Sequence, residues 1–188
     1  MTIDDILVSY VNRDTGHKRE IGRYWASDVH SIKEGYLTPE NFLLKKAIDL
    51  SGARMILTGV AFENLWTEIC KTTGVACSFQ EKKELSINKD ITLVVKPDYV
   101  YDNVIHETKY PFSIVREEIP DRYLDQLECE YRAFYKQVYL GVFSTPFNLK
   151  LLPYTPSKRR WTNITNTLID FHNKVVEINK CYTKEVQK

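Results

Sequence analysis

Apolar positions recur with two different periods along this chain of 188 residues, and the change of period divides it into elements. From about Arg54 to Thr73 the residues Met55, Phe62, Leu65, Trp66 and Ile69 fall at helical spacings, and Gly74 follows as a terminator. Just upstream, residues 39–51 read as a separate helix, with Thr38 placed to cap it, Pro39 at the first helical position and Gly52 beyond its end. The pattern then turns to strand. Segments 77–87, 91–101 and 103–110 are rich in β-branched and aromatic residues, and the turn-like Asn88-Lys89-Asp90 and Asp102-Asn103 separate them, which predicts an antiparallel meander. Helical spacing returns over 121–138, through Leu124, Leu127, Tyr131, Phe134 and Val138. Two short strands are expected at 139–144 and 147–153. A long helix is expected over 157–182, where Trp161, Ile164, Leu168, Phe171, Val175 and Ile178 keep one register. The predicted order is α, α, βββ, α, ββ, α.

A hydrophobic fraction of 43% is enough to bury a core, and the length is short for two ordinary domains. One α/β domain over 1–188 is expected, with its core at about 39–153 and the C-terminal helix at about 157–182. Lys and Arg number 26 against 25 Asp and Glu, so no polybasic arm or acidic tail announces a partner, and any nucleic-acid site must be a local patch. No run of about 18 apolar residues and no basic-then-apolar leader is present, so a soluble, cytoplasmic protein with no membrane partner is expected. Cys70, Cys77, Cys129 and Cys181 are irregularly spaced with no C-x-x-C, which fits reduced thiols better than a zinc knuckle or a disulfide framework.

The candidate chemistry lies in the meander. On a strand, Ile105, Glu107 and Lys109 share one face while Val104, His106 and Thr108 share the other. If the second and third strands pair through Asp102-Asn103, Asp98 lies opposite Glu107, and two carboxylates meet beside a lysine. Acids so close repel unless a cation neutralises them, and Mg²⁺ or Mn²⁺ with water and a phosphate oxygen would do so. Such a site activates water against a phosphodiester, with Lys109 positioning that water or stabilising the charge that forms. A solvent-facing ion pair is the plainer alternative for Glu107 and Lys109. Glu63 borders the apolar stripe of the second helix, either as a third acid turned toward the sheet or as a half-exposed boundary residue. Gln126 borders the stripe of the next helix, with Glu130 one turn later; it either reaches the site or is a polar boundary position.

Taken together, Pro97-Asp98 and Glu107-Thr108-Lys109 resemble the PD-(D/E)XK nuclease superfamily, and their surroundings resemble its RecB-like branch, which includes the CRISPR-associated RecB-like exonucleases. The similarity spans roughly residues 24–144 and includes Ser27-Asp28, Gly59 to Glu63, and Gln126 with Tyr131. It implies a restriction-endonuclease-like α/β core, a central mixed sheet flanked by helices. It also implies that Asp98, Glu107 and the main-chain carbonyl of Thr108 hold Mg²⁺ or Mn²⁺, that Glu63 holds a second ion or a water, that Lys109 assists the attacking water, and that Gln126 supports the site. The implied reaction is phosphodiester hydrolysis in DNA, by an exonuclease on single strands or ends or by a structure-specific endonuclease. Two departures are visible. The cysteines that carry an iron–sulfur cluster in many members of the branch are missing, so no cluster is expected. Tyr131 follows Gln126 by five positions instead of four, which puts Glu130 in the usual place of the aromatic residue. Small stand-alone forms of this kind resemble those of archaeal viruses as much as of cells.

Lys158, Arg159 and Arg160 form the densest basic run, placed to touch a DNA backbone or to be solvated at a helix start. Lys45, Lys46 and Arg54 are further candidates for the same groove. Tyr24, Trp25 and Tyr36 are the aromatic residues put forward to stack on unpaired bases. A charge near neutrality suits a narrow basic groove or a homodimer that joins two modest patches. His106, by parity, points away from Glu107 toward burial, while His30 and His172 have no partner at ligand spacing. The alternative reading is a non-catalytic nucleic-acid-binding or assembly protein that retains the fold, and a sequence-specific restriction endonuclease is a third.

Overall fold

Ile91, Leu93, Val94 and Val95 are each at most 1% exposed, the signature of a strand covered on both faces, and the protein is organised around it. The structure, a computed structural model, describes residues 2–13, 19–44, 47–109, 117–144 and 148–186. In chain order the elements are α1 (Ile3–Arg13), β1 (Arg23–Trp25), α2 (Val29–Lys33), α3 (Leu50–Thr72), β2 (Cys77–Phe79), β3 (Lys83–Ser86), β4 (Thr92–Val95), β5 (Tyr99–Tyr101), β6 (Val104–Lys109), α4 (Asp121–Phe134), β7 (Val138–Ser144), β8 (Asn148–Pro153) and α5 (Lys158–Val186). One sheet has the order β1-β4-β3 and the other β2-β5-β6-β7-β8. The pairs β1/β4 and β6/β7 are parallel and the remainder antiparallel, so both sheets are mixed. The parallel pair β6/β7 follows from the helical crossover through α4, since parallel neighbours need a long connection. Helices α4 and α5 pack on one another, and Leu127, Ile164, Leu168, Phe171 and Val175 join the strands in the main core.

Helix α4 and helix α5 follow the predicted periodicity, although α4 stops at Phe134 and not at 138. Tyr135 adopts a left-handed conformation (φ 54°), its N–H returns to the Tyr131 carbonyl at 2.7 Å, and Val138 opens β7. Among the described residues the predicted helix at 39–51 is not formed. Residues 39–44 make successive turns held by Asn41, whose side chain accepts the Thr38 N–H at 2.8 Å, and Phe42 is drawn wholly into the core against Tyr24 and Phe171. Lys45 and Lys46 lie outside the described residues, as do Tyr110 and Phe147 at the ends of two predicted strands. Asp49 is the actual N-cap of the next helix, accepting the Gly52 N–H at 2.8 Å, so Gly52 belongs to the first turn of α3. Gly74 (φ +69°) does terminate α3, with Val75 N–H returning to the Cys70 carbonyl at 3.0 Å.

Two predicted strands are each divided between the sheets. The segment 77–87 breaks at Gln80 (φ 51°) into β2 and β3. The segment 91–101 breaks at Lys96-Pro97-Asp98 into β4 and β5, because Pro97 has no N–H to continue a ladder. Elements α1, β1 and α2, upstream of residue 39, carried no assignment from the pattern. The stripe assigned to α3 is also corrected: Met55 is 57% and Leu65 45% exposed, and only Ala53 and Cys70 of this helix are buried. Phe62 and Trp66 of that stripe meet the sheet, against Phe143 at 3.9 and 5.6 Å between ring centroids.

Candidate active site

The hairpin β5–β6 sets the site. Asp102 and Asn103 both take positive φ (48° and 62°), the conformation of a two-residue turn whose twist matches its strands, and Asn and Asp accept it more readily than other side chains. That turn fixes the register Tyr99↔His106 and brings Asp98 level with Glu107, the next pair outward. Asp98 anchors by its own side chain: Oδ2 accepts the Thr108 N–H and the Thr108 hydroxyl, both at 2.6 Å. Thr108 is therefore joined to Asp98 through side chain and backbone alike.

Glu107 is 2% exposed, and the Lys109 ammonium donates to its Oε1. Helix α4 brings Glu130, 1% exposed, against Glu107, and Gln126 Nε2 donates to Glu130 Oε1 at 3.1 Å. Helix α3 brings Glu63, whose Oε2 accepts from Gln80 Nε2 at 3.4 Å, while Lys96 Nζ donates to Gln80 Oε1 at 3.2 Å. The structure thus gathers Glu63, Asp98, Glu107, Thr108 and Lys109 at one place, with Gln126 reaching it through Glu130. Glu130 and Gln80 did not figure among the predicted site residues. Glu130 was traceable, since it stands one helical turn after Gln126; the left-handed turn that presents Gln80 leaves no mark in the sequence.

The charges are unevenly matched. Burial first, then the Glu107 carboxylate, push Asp98 up to about 7, against the pull of Lys109 and the Thr108 hydrogen bonds. Burial and Glu107 also raise Glu63, and burial with Glu107 raises Glu130 well above the usual carboxylate range. Burial alone would lower the Lys109 ammonium, but Glu107 and Asp98 outweigh it and hold Lys109 above its ordinary value. Among the described residues no three His, Cys, Asp or Glu side chains stand close enough to enclose an ion unaided. The fit to a hard dication rests on other features. Glu107 Oε2 and Glu130 Oε2 are buried with no donor but a proton shared between the two carboxyls, and Asp98, Glu63 and Glu130 all draw on the Lys109 ammonium, with Lys96 also acting on Glu63. An oxygen-rich, cation-poor set of this kind matches an ion that takes carboxylates, a carbonyl and water.

Beside the carboxylates a cleft of about 200 Å³ opens between α3 and β2, lined in part by Phe62, Glu63, Trp66, Phe79, Gln80 and Asp98. The nucleic-acid candidates fare differently. Tyr24 is fully buried, packed on Phe42 and Phe171 with its hydroxyl 2.9 Å from His172 Nδ1, so it has no face to offer a base. His172 itself is half-buried, at the boundary position expected of it. Arg160 donates to Asp125 Oδ1 at 2.8 Å and serves an internal ion pair, whereas Lys158 and Arg159 are exposed in the first turn of α5. His106 is buried as its parity predicts, stacked on Tyr99 at 4.9 Å and Tyr139 at 6.0 Å.

No protein-family model matches the chain, and no curated protein matches it by sequence. Solved structures do match. The crystal structure of SSO0001 superposes with a TM-score of 0.67 at 13% identity, over 91% of this chain and 85% of that one. LHK-Exo in complex with dAMP gives 0.65 at 12% identity, over 89% and 95%. A phage-related exonuclease from Haemophilus somnus 129PT gives 0.56 at 13% identity, over 84% and 95%. LHK-Exo is an alkaline exonuclease from Laribacter hongkongensis. The chain accordingly has the mixed α/β fold of these exonucleases, with mixed sheets flanked by helices.

Proposed function

We propose that the chain is a divalent-metal-dependent deoxyribonuclease of the PD-(D/E)XK type, in its RecB-like branch, acting over 1–188 as one domain. The observation that carries this reading is the gathering of Glu63, Asp98 and Glu107 near the Lys109 ammonium, with a buried Glu107 oxygen that has no donor but a proton shared with Glu130. Exonuclease folds among its structural neighbours, and the nucleotide bound by LHK-Exo, support a nucleic-acid substrate.

Asp98, Glu107 and the Thr108 carbonyl are the groups that would hold Mg²⁺ or Mn²⁺, with Glu63 supporting an ion-bound water or a second ion. Bound there, the ion supplies Lewis-acid activation of water and neutralises phosphate charge. Glu107 and Asp98 hold Lys109 in its ammonium form in the metal-free chain, and in that form it would offer a hydrogen bond and positive charge to the attacking water and the pentavalent phosphorus. Gln126 fixes the Glu130 carboxyl, which in turn abuts Glu107. Thr108 holds Asp98 in place by its hydroxyl and N–H. The exposed Lys158 and Arg159 are available to phosphates. No described helix is long and apolar enough to cross a membrane, and an intracellular site of action belongs to the proposal.

Incubation of linear and circular DNA with Mg²⁺ or Mn²⁺, beside an Asp98→Ala control, tests the reading. Metal-dependent cleavage absent from the control is expected. No cleavage above the control contradicts catalysis and leaves a non-catalytic DNA-binding protein.

A further inference from the structure

We infer that the cleft between α3 and β2 seats one unpaired nucleobase of the strand whose backbone lies at the carboxylates, an assignment that rests on the nuclease reading above. Glu63, Asp98 and Thr108 belong both to this cleft and to the proposed metal centre, so a nucleotide with its phosphate at the acids has its base within reach of the cleft. Phe62, Trp66, Phe79 and Tyr99 form the aromatic part of the remaining wall, beside the polar Asn64, Thr67 and Gln80. Tyr99, 4% exposed, forms the floor, and Trp66 of α3 and Phe79 of β2 flank it at 6.0 and 6.3 Å between ring centroids. Both flanking rings are only partly buried, so their surfaces border open space.

In a core, such a cluster would close on itself. Here it stays open because Gln80 turns the chain out of β2 in a left-handed conformation (φ 51°) and spans Glu63 and Lys96 with its amide. A non-glycine residue held in that conformation beside reactive groups is a feature that functional sites retain at a cost in backbone strain.

The dimensions select the ligand. A cleft of about 200 Å³ has room for one planar heterocycle. A base that enters it has left its partner, so the seat suits a single-stranded or frayed end. Stacking on aromatic rings tolerates every base, and the amide of Gln80 is already engaged at both ends, which leaves Asn64 and Thr67 as the polar lining available to tell one base from another. Lys96, whose ammonium meets the Gln80 carbonyl oxygen, supplies positive charge at the rim for an adjoining phosphate.

The test is binding of a fluorescent single-stranded oligonucleotide to the metal-free full chain, read by anisotropy, for wild type, Phe79→Ala and Phe79→Tyr. Each protein is offered an intact strand and a series with one abasic position moved along it. Loss of one stacked base weakens binding by about tenfold. Phe79→Ala is expected to show that loss and Phe79→Tyr to bind as wild type. One abasic position should show it in wild type and add nothing further in Phe79→Ala, the non-additivity of groups in contact. Equal binding by wild type and Phe79→Ala, with every abasic position tolerated, overturns the base seat. The two readings separate cleanly: the expected binding pattern without Mn²⁺-dependent cleavage sinks the nuclease and keeps the seat, while cleavage with indifferent binding does the reverse.

Discussion

Helix α4 buries two kinds of acid, and the difference between them separates scaffold from site. Asp125, 1% exposed, receives Lys33 at 3.3 Å and Arg160 at 2.8 Å. Glu128, fully buried, receives Arg132 at 2.7 Å, the Tyr154 hydroxyl at 2.5 Å and the Ser157 N–H at 2.8 Å. Glu130, buried to the same degree on the same helix, has one oxygen held by Gln126, while the other meets no cation or N–H and is set against the Glu107 carboxyl, with which it can only share a proton. Removing a carboxylate from water costs several kcal/mol unless cations and donors replace the solvent. At Asp125 and Glu128 the protein supplies them and the acids hold α2, α4 and α5 together. Around Glu107 the supply falls short, and a proton or a dication must make up the difference.

The largest effect should come from the under-supplied set. Asp98→Asn and Glu107→Gln are each expected to lower Mn²⁺-dependent DNA hydrolysis by about 10³-fold or more, several kcal/mol of lost charge stabilisation, in a single-turnover assay. Above about pH 7 Asp98→Asn should also raise the thermal stability of the metal-free protein, because a repelling buried charge disappears, whereas Glu107→Gln should lower it, because Lys109 loses its carboxylate. Lys109→Met should lower hydrolysis by about 10²-fold or more and also destabilise the metal-free protein, since it strips the acids of their ammonium. In the well-supplied set the balance inverts. Glu128→Gln leaves Arg132 without its carboxylate and should cost about 3–5 kcal/mol in urea unfolding, with no change in the stabilisation conferred by Mn²⁺.

The proton takes the place of the cation when metal is absent, which fixes a pH dependence. Asp98 sits at about 7 in the folded chain against 3.8 for the free group, so between these values the folded state binds more protons than the unfolded state. Stability without metal is then lost as pH rises from about 4 to 7. The difference in unfolding free energy between wild type and Asp98→Asn should change by roughly 2–4 kcal/mol across that window. A flat difference would show that Asp98 is not held protonated. The smallest effect concerns the turn that sets the register: Asn103→Val forces a β-branched residue into positive φ and should cost about 1–2 kcal/mol.

Much of the site's framework was legible because it depends on local rules. Strand parity and an Asp-Asn turn sufficed to place Asp98 level with Glu107, and the three- and four-residue spacing of Leu127, Phe134, Ile164, Leu168 and Phe171 located α4 and α5. What failed depends on distant partners. Thr38, Pro39 and Gly52 punctuate a helix convincingly, yet Phe42 is worth more in the core beside Tyr24 and Phe171 than on a helix surface. Tyr24 looked like a stacking residue because no local rule says that His172, far along the chain, waits for its hydroxyl. Arg160 looked like a phosphate ligand for the same reason, its partner Asp125 being on another helix. The helical spacing of Met55 and Leu65 was read as a buried face, whereas this face of α3 runs beyond the sheet.

Calorimetric titration of Mn²⁺ into the wild-type chain at pH 8 tests the central claim most directly, with Asp98→Asn, Glu107→Gln and Glu128→Gln titrated alongside. Saturable binding in wild type and Glu128→Gln, abolished in Asp98→Asn and Glu107→Gln, is the predicted result. Binding that is absent from the wild type, or undiminished when Asp98 and Glu107 are neutralised, would contradict it.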